Sequence, residues 1–259
     1  MVVGLGTFST HFAGYNEHYV LIGGTACSLV MVDRGLDFRA THDLDMVLCL
    51  EALSADFGKA FWGFIEAGGY ENRQRSSGAE VFYRFMAPVQ PDYPQMIELF
   101  SRVPDSLQLS GKTHLTPIPV GEEVASLSAI LLDDHYYAFL KEGKTIINGV
   151  PVVDASHLIP LKSRAWIDLM ARKAAGEPID SRDIRKHKND ILRLYQLLSP
   201  ASRIDLPSAL RQDMILFLDR LEEGGVDLNS LGLKQLRLRD VLHHFRQIYQ
   251  LDTSLAVRP

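Results

Sequence analysis

Apolar and polar positions alternate with two different periods along the chain, and the change of period divides it. Tyr19 to Ile22 is a short apolar run stopped by Gly23-Gly24, which predicts a buried strand. Thr25 to Val32 then reads as a helix that ends near Asp33-Arg34-Gly35. Asp43 to Leu50, DLDMVLCL, begins with period two and merges into an apolar run, the pattern of a central strand. Leu53 to Ala67 is helical, with Gly68-Gly69 as its stop. Glu80 to Met86 and Gln95 to Ser101 read as strands joined by the turn PVQPDYP, and Glu122 to Lys141 as a helix. Thr145 to Val153 is a hairpin centred on Asn148-Gly149, a favoured two-residue turn.

From there the period is helical: Ser156–Ala175, Ser181–Leu198, Ser208–Glu223 and Leu233–Tyr249, with breaks at Pro178, Pro200 and Gly224-Gly225. The expectation is an α+β fold: a mixed sheet flanked by helices over residues 1–154, then a helical C-terminal half over residues 155–259. The stripe Val241, Leu242, Phe245 and Ile248 faces a core, a dimer or another partner.

Composition leaves this picture unchanged. The chain has 259 residues, 46% of them hydrophobic and 23% charged, which is ordinary for a globular protein. No apolar run is long enough to span a bilayer, and MVVGLGTFSTHF lacks the pattern of a secretory signal. Two cysteines, Cys27 and Cys49, sit among apolar residues, so a reducing, cytoplasmic location without a disulfide framework is expected.

Charge adds something. The net value is −5, but residues 1–159 hold 10 Lys and Arg against 19 Asp and Glu, whereas residues 160–200 hold 9 against 5. The basic stretch is either a solvated helix face or a surface that grips phosphate.

The chemistry-bearing residues cluster around the first strands. A strand that enters a helix through Gly23-Gly24 presents free backbone N–H groups to an anion, and Thr25 adds a hydroxyl at the helix start. The same sequence also suits an ordinary strand-to-helix turn. In RATHDLDMVL, Asp43 and Asp45 lie two apart on a strand and so share a face. Close like charges call for a cation, and Mg²⁺ often takes one or two carboxylates together with substrate phosphates. Glu98, alone in the apolar strand QMIELFS, is the candidate third acid, ahead of Glu80; its other reading is an edge-strand acid facing water. His42 and His187 match no zinc spacing and are assigned to solvent or packing.

Together these residues resemble the nucleotidyltransferase superfamily, with its Gly-Gly turn, paired-acid strand and third acid. The chain looks closest to the AbiEii/MenT-like toxin nucleotidyltransferases. Thr25 and Ala26 follow the Gly-Gly pair, Arg39 and Thr41 precede the acids in RATHDLD, and the hairpin INGVPVV leads into HLIPLKSRAWIDLMARK, where Lys162 matches the motif lysine. Arg182 and Asp183, in SRDIRKHKNDILRL, match a late Arg-Asp motif, with Asp190 as an alternative acid. The resemblance covers roughly residues 18–198.

It implies a nucleotidyltransferase-like fold and transfer of a nucleotide from a nucleoside triphosphate. Asp43, Asp45 and Glu98 would hold two Mg²⁺ ions. Gly23, Gly24, Thr25, Arg39, Lys162 and Arg182 would bind the nucleotide, and Asp183 would orient Lys162 or hold the sugar. Lys162 and Arg39 could equally form surface salt bridges. It further implies tRNA or another RNA as acceptor and a cognate antitoxin as partner. A small-molecule acceptor of the antibiotic type and a non-catalytic nucleotide-binding module are the alternatives.

Overall fold

In the computed structural model, which describes residues 2–49, 52, 54–72, 82–100 and 134–251, the first apolar run becomes the strand β1 (Tyr19–Ile22), buried at all four positions. Helix α1 (Leu5–His11) precedes it. There follow α2 (Gly23–Asp33), β2 (Asp43–Leu48), α3 (Ala55–Gly68), β3 (Glu71–Asn72), β4 (Phe82–Met86) and β5 (Met96–Phe100). After the next described stretch, α4 (Asp134–Glu142), comes the hairpin β6 (Lys144–Ile147) and β7 (Val150–Val153). The helices α5 (Ala155–Ala174), α6 (Ser181–Leu194), α7 (Ser208–Gly224) and α8 (Leu238–Ile248) complete the described residues, with 3₁₀ turns at Tyr195–Leu197 and Asn229–Leu231. This is the expected mixed α and β architecture with a helical C-terminal half. Glu80, Leu50, Leu53, Ser101 and residues 122–133, which the sequence places in strands and helices, lie outside the described residues.

The chain divides into two compact units, Met1–Leu132 with Gly143–Asp154, and Asp133–Glu142 with Ala155–Pro259. Helix α4 therefore belongs to the helical unit although the β6–β7 hairpin that follows it belongs to the sheet.

Among the described residues the strands of the first unit form one sheet in the order β3-β4-β5-β2-β1-β7-β6. β2 runs antiparallel to β1 and parallel to β5, and β5 runs antiparallel to β4. One face of this sheet is aromatic. Phe8 and Phe12 of α1 and Phe57, Phe61 and Phe64 of α3 are fully buried. The Tyr19 ring lies 5.5 Å from Phe8, and the Phe85 ring 5.6 Å from Phe61. Edge-on and tilted ring pairs at such distances add to simple burial. Since side chains alternate across a pleated strand, the neighbours of Tyr19, Met46, Ile97 and Phe85 must point to the opposite face.

Local chemistry explains the element ends. The Ser54 side chain accepts from the Phe57 N–H at 3.2 Å, and Gly69 closes α3 with a left-handed φ of 63°. Asn148 and Gly149 both have positive φ, 50° and 79°, as a twisted two-residue hairpin turn needs. Helix α1 was not foreseen: it is only 7 residues long, too short to show a period.

The helical unit packs around α5. Pro160 lies inside that helix and has no N–H to donate to the carbonyl of Ser156. The hydroxyl of Tyr249, just past α8, donates to that carbonyl at 2.7 Å. Tyr249 is itself fully buried. The stripe Val241, Leu242, Phe245 and Ile248 is buried within the same unit, so it is core.

Tyr249→Phe removes that donor. Denaturant unfolding should show a loss of about 1 kcal/mol, the usual net contribution of an intramolecular hydrogen bond.

Candidate functional site

A single row crosses four strands of the sheet. Ile22 pairs with Asp45, Asp45 with Glu98, and Glu98 with Arg84. Arg84 precedes Phe85, whose ring packs on α3, so this whole row occupies the face opposite the aromatic layer. Asp43, two residues before Asp45, shares that face. The period-two argument made from the sequence thus extends across the sheet and brings Glu98 beside Asp45.

Helix α2 begins where this row ends. Gly23 follows Ile22 directly and has a φ of +66°, a left-handed conformation that L side chains rarely adopt. The Asp45 carboxylate packs straight onto it: a Cβ at Gly23 would collide with Asp45 Oδ2 and stand 2.6 Å from its Cγ. A Cβ at Gly24 would lie 2.9 Å from Thr41 Oγ1 and 3.2 Å from an Arg39 guanidinium nitrogen. Gly23 and Gly24 are thus the first residues of the helix rather than a loop before it, because carboxylate and guanidinium occupy the space a side chain would need. The free N–H groups and positive end of α2 open towards these two groups.

Thr25 is fully buried, and its hydroxyl donates to the Asp43 carbonyl at 2.5 Å. It joins α2 to the start of β2.

Glu98 is not the isolated carboxylate that the sequence suggests. Arg84 reaches its Oε1 through Nε at 2.7 Å and Nη2 at 2.5 Å. Arg84 was missed because a lone cation in FYRFM acquires meaning only once the β4–β5 register is known.

Asp45 and Glu98 are both 9% exposed and Asp43 is half-buried. Among the described residues no group of three or more His, Cys, Asp and Glu side chains is placed to hold a metal ion. Asp43 and Asp45 remain a chemically apt pair for Mg²⁺, which often binds proteins through two carboxylates and completes its shell with water and phosphate. His42 is exposed, and Cys27 and Cys49 are buried thiols.

The other expected residues belong to the helical unit. Lys162 on α5 donates from Nζ to Asp190 Oδ2 on α6 at 3.0 Å, and both side chains are almost wholly buried. Of the two acids left open, Asp190 is the one that bonds Lys162. Asp183 stands in the first turn of α6, two helical turns earlier on the same stripe. Arg182 lies beside it in that first turn. Its guanidinium bonds the Asp180 carboxylate at 2.8 and 2.6 Å on an exposed surface, and its backbone N–H is capped by the same group. Hydrogen bonds from Arg182 hold the Asp180 carboxyl below its ordinary range.

No family model matches the chain, and no curated protein matches it. Among solved structures it is similar to an antigenic nucleotidyltransferase-like protein from Paracoccidioides brasiliensis, with 19% identity over 90% of each chain and a TM-score of 0.44. At that level the likeness carries no functional weight. Among the described residues no helix is long and apolar enough to cross a membrane.

Two substitutions test this construction. Gly23→Ala forces a Cβ into the Asp45 carboxylate at a left-handed φ, so thermal unfolding should register a loss of more than about 1 kcal/mol. Lys162→Met leaves Asp190 buried without its cation and should cost roughly 3 kcal/mol, most of it recovered in Lys162→Met/Asp190→Leu.

Proposed function

We propose that this chain is a Mg²⁺-dependent nucleotidyltransferase, moving a nucleotide from a nucleoside triphosphate to an acceptor. The observation that carries the proposal is the position of Asp43 and Asp45 on one face of β2, with Asp45 against the first residue of α2 and opposite Glu98 on β5. Paired strand carboxylates beside a glycine-started helix supply both metal ligands and phosphate-binding N–H groups.

In this reading Asp43 and Asp45 hold the metal. Magnesium supplies charge stabilisation at the reacting phosphate when it is bound. Gly23 and Gly24 present main-chain N–H groups to the triphosphate, and their lack of a Cβ lets the Asp45 carboxylate and the Arg39 guanidinium lie against the helix start. Arg39, beside Gly24, adds a planar cation suited to phosphate. Glu98, oriented by Arg84, serves as the anion beside Asp45 that draws the acceptor's proton. Lys162, held by Asp190, is kept as a nucleotide-binding residue on the sequence resemblance alone.

The finer reading is supported by the sequence resemblance alone: an AbiEii/MenT-like toxin, with tRNA or another RNA as acceptor and a cognate antitoxin as partner. The basic stretch of residues 160–200 suits a polyanionic acceptor. The two buried cysteine thiols suit a cytoplasmic location.

A second reading has a specific observation behind it. Arg84 engages Glu98, and among the described residues no third acid joins the aspartates in a metal-holding cluster. A non-catalytic nucleotide-binding module fits those facts.

Incubation with labelled nucleoside triphosphates, Mg²⁺ and total RNA separates the two. The transferase reading expects label on an acceptor, lost by at least about 100-fold in Asp43→Asn and Asp45→Asn, in line with removal of a metal ligand. Triphosphate binding without any transfer supports the module. Absence of both binding and transfer removes the nucleotide reading altogether.

A further inference from the structure

The helical unit contains a pocket of its own, with a volume of about 620 Å³, within the range of sites that hold small organic ligands. Its floor is apolar, formed by Trp166 and Met170 from one face of α5, with Ile184 and Leu221. Trp166 is 6% exposed, and its indole N–H is buried without a hydrogen-bond acceptor. An unsatisfied donor in a pocket wall is unusual in a protein that needs no ligand there.

The rim is cationic and polarised. Lys173, Arg185 and Lys188 line it together with Ser181, in the first turn of α6. The positive end of α6 therefore adds to their charge. Lys173 is held in place, donating from Nζ to Ser181 Oγ and to the Ile179 carbonyl. Arg185 and Lys188 are three residues apart and so share one helix face. Helix α7 gives the lining a different character, with its charges paired and its end carbonyls open. There stand Gly224 and Gly225 at the C-terminus of α7, where the last helix carbonyls lack intrahelical donors, and Glu223, which pairs with Arg220 at 3.3 Å.

A ligand that matches this lining has an anion at one end, a flat apolar body, and hydrogen-bond donors at the other. A nucleoside monophosphate unit has that order: phosphate, then ribose and a flat base, with the base's exocyclic amino donor at the far end. An acidic peptide supplies the anion but leaves the apolar floor and the carbonyl-rich end unmatched.

We infer that this pocket binds a nucleoside phosphate, its phosphate on Lys173, Arg185 and Lys188 and its base on the Trp166–Met170 floor. The unit is either a free nucleotide or the end of a single-stranded RNA. The inference does not depend on transfer at Asp43 and Asp45, since a monophosphate has no pyrophosphate to lose.

The test uses the full chain without Mg²⁺ and with EDTA. Trp62 and Trp166 are its two tryptophans, so Trp62→Phe leaves Trp166 fluorescence as the reporter. AMP, adenosine, inorganic phosphate and a five-nucleotide single-stranded RNA are titrated separately. The expected result is saturable quenching by AMP or by the RNA, weakened about tenfold or more in Arg185→Ala/Lys188→Ala, as loss of charge-assisted phosphate contacts requires. Met170→Glu, at a position 42% exposed, should also abolish it without unfolding the chain, as checked by circular dichroism. Quenching by AMP at saturations where the RNA is inert identifies a free nucleotide; the reverse identifies an RNA end. The inference is overturned if neither quenches at millimolar concentration. It is equally overturned if inorganic phosphate binds as well as AMP, or if both variants bind like the parent.

Discussion

The register between β2 and β5 is the constraint on which the candidate site depends. With Asp45 opposite Glu98, one row of side chains runs Ile22–Asp45–Glu98–Arg84, and the flanking rows point into the aromatic layer. A slip of one residue would exchange the two faces of β2. Asp43 and Asp45 would then face Phe57 and Phe61, and Leu44 and Met46 would stand at the mouth of α2. The burial of Leu44 and Met46, both at 0% exposure, sets the cost of that exchange. The core and the charged row are therefore selected together: the aromatic helices α1 and α3 hold the acids in place from the other side of the sheet.

Such a row places carboxylates where water is scarce, and each needs compensation. Glu98 receives it from the Arg84 guanidinium through two N–H groups. Asp45 lies against Gly23, at the positive end of α2. In the helical unit Lys162 and Asp190 compensate one another inside an interface between two helices. Buried pairs of this kind seldom stabilise a fold more than apolar residues of equal volume would. Their effect is to fix geometry: Lys162 reaches its acid only when α5 and α6 are in one axial register. Thr25 does the same with a neutral group, tying the helix start to the first residue of β2.

Much of this was legible in local pattern. Alternation in DLDMVL gave a strand with both aspartates on one face, and Asn148-Gly149 marked the hairpin. The 3.6-residue stripe in α8 marked a core face. What the sequence could not carry was everything decided between elements. Arg84 and Glu98 are 14 residues apart and meet only through strand pairing. Asp183 and Asp190 lie on one stripe of α6, so periodicity admits either as the partner of Lys162, and only the helix packing selects Asp190. Thr25 has the residue type of a ligand contact, yet burial gives its hydroxyl a main-chain acceptor instead. Helix α1 escaped notice because Phe8 and Phe12 offer a single i,i+4 spacing.

Helix ends matter at both proposed sites, with opposite consequences. On the sheet face the positive end of α2 meets Asp45, with Asp43 on the same face, and the Glu98 charge is balanced by Arg84. The partial charge of a helix terminus, about half an elementary charge, is smaller than that of the carboxylates around it. A triphosphate approaching that face is repelled unless a divalent cation accompanies it. In the helical pocket the positive end of α6 adds to Lys173, Arg185 and Lys188, and Glu223 lies at the opposite side beside Arg220. A phosphate there finds net attraction with no metal. Metal dependence therefore distinguishes the two surfaces on electrostatic grounds alone. The first should receive phosphate only as a metal complex, and the second should receive it bare and lose it as salt screens the exposed cations.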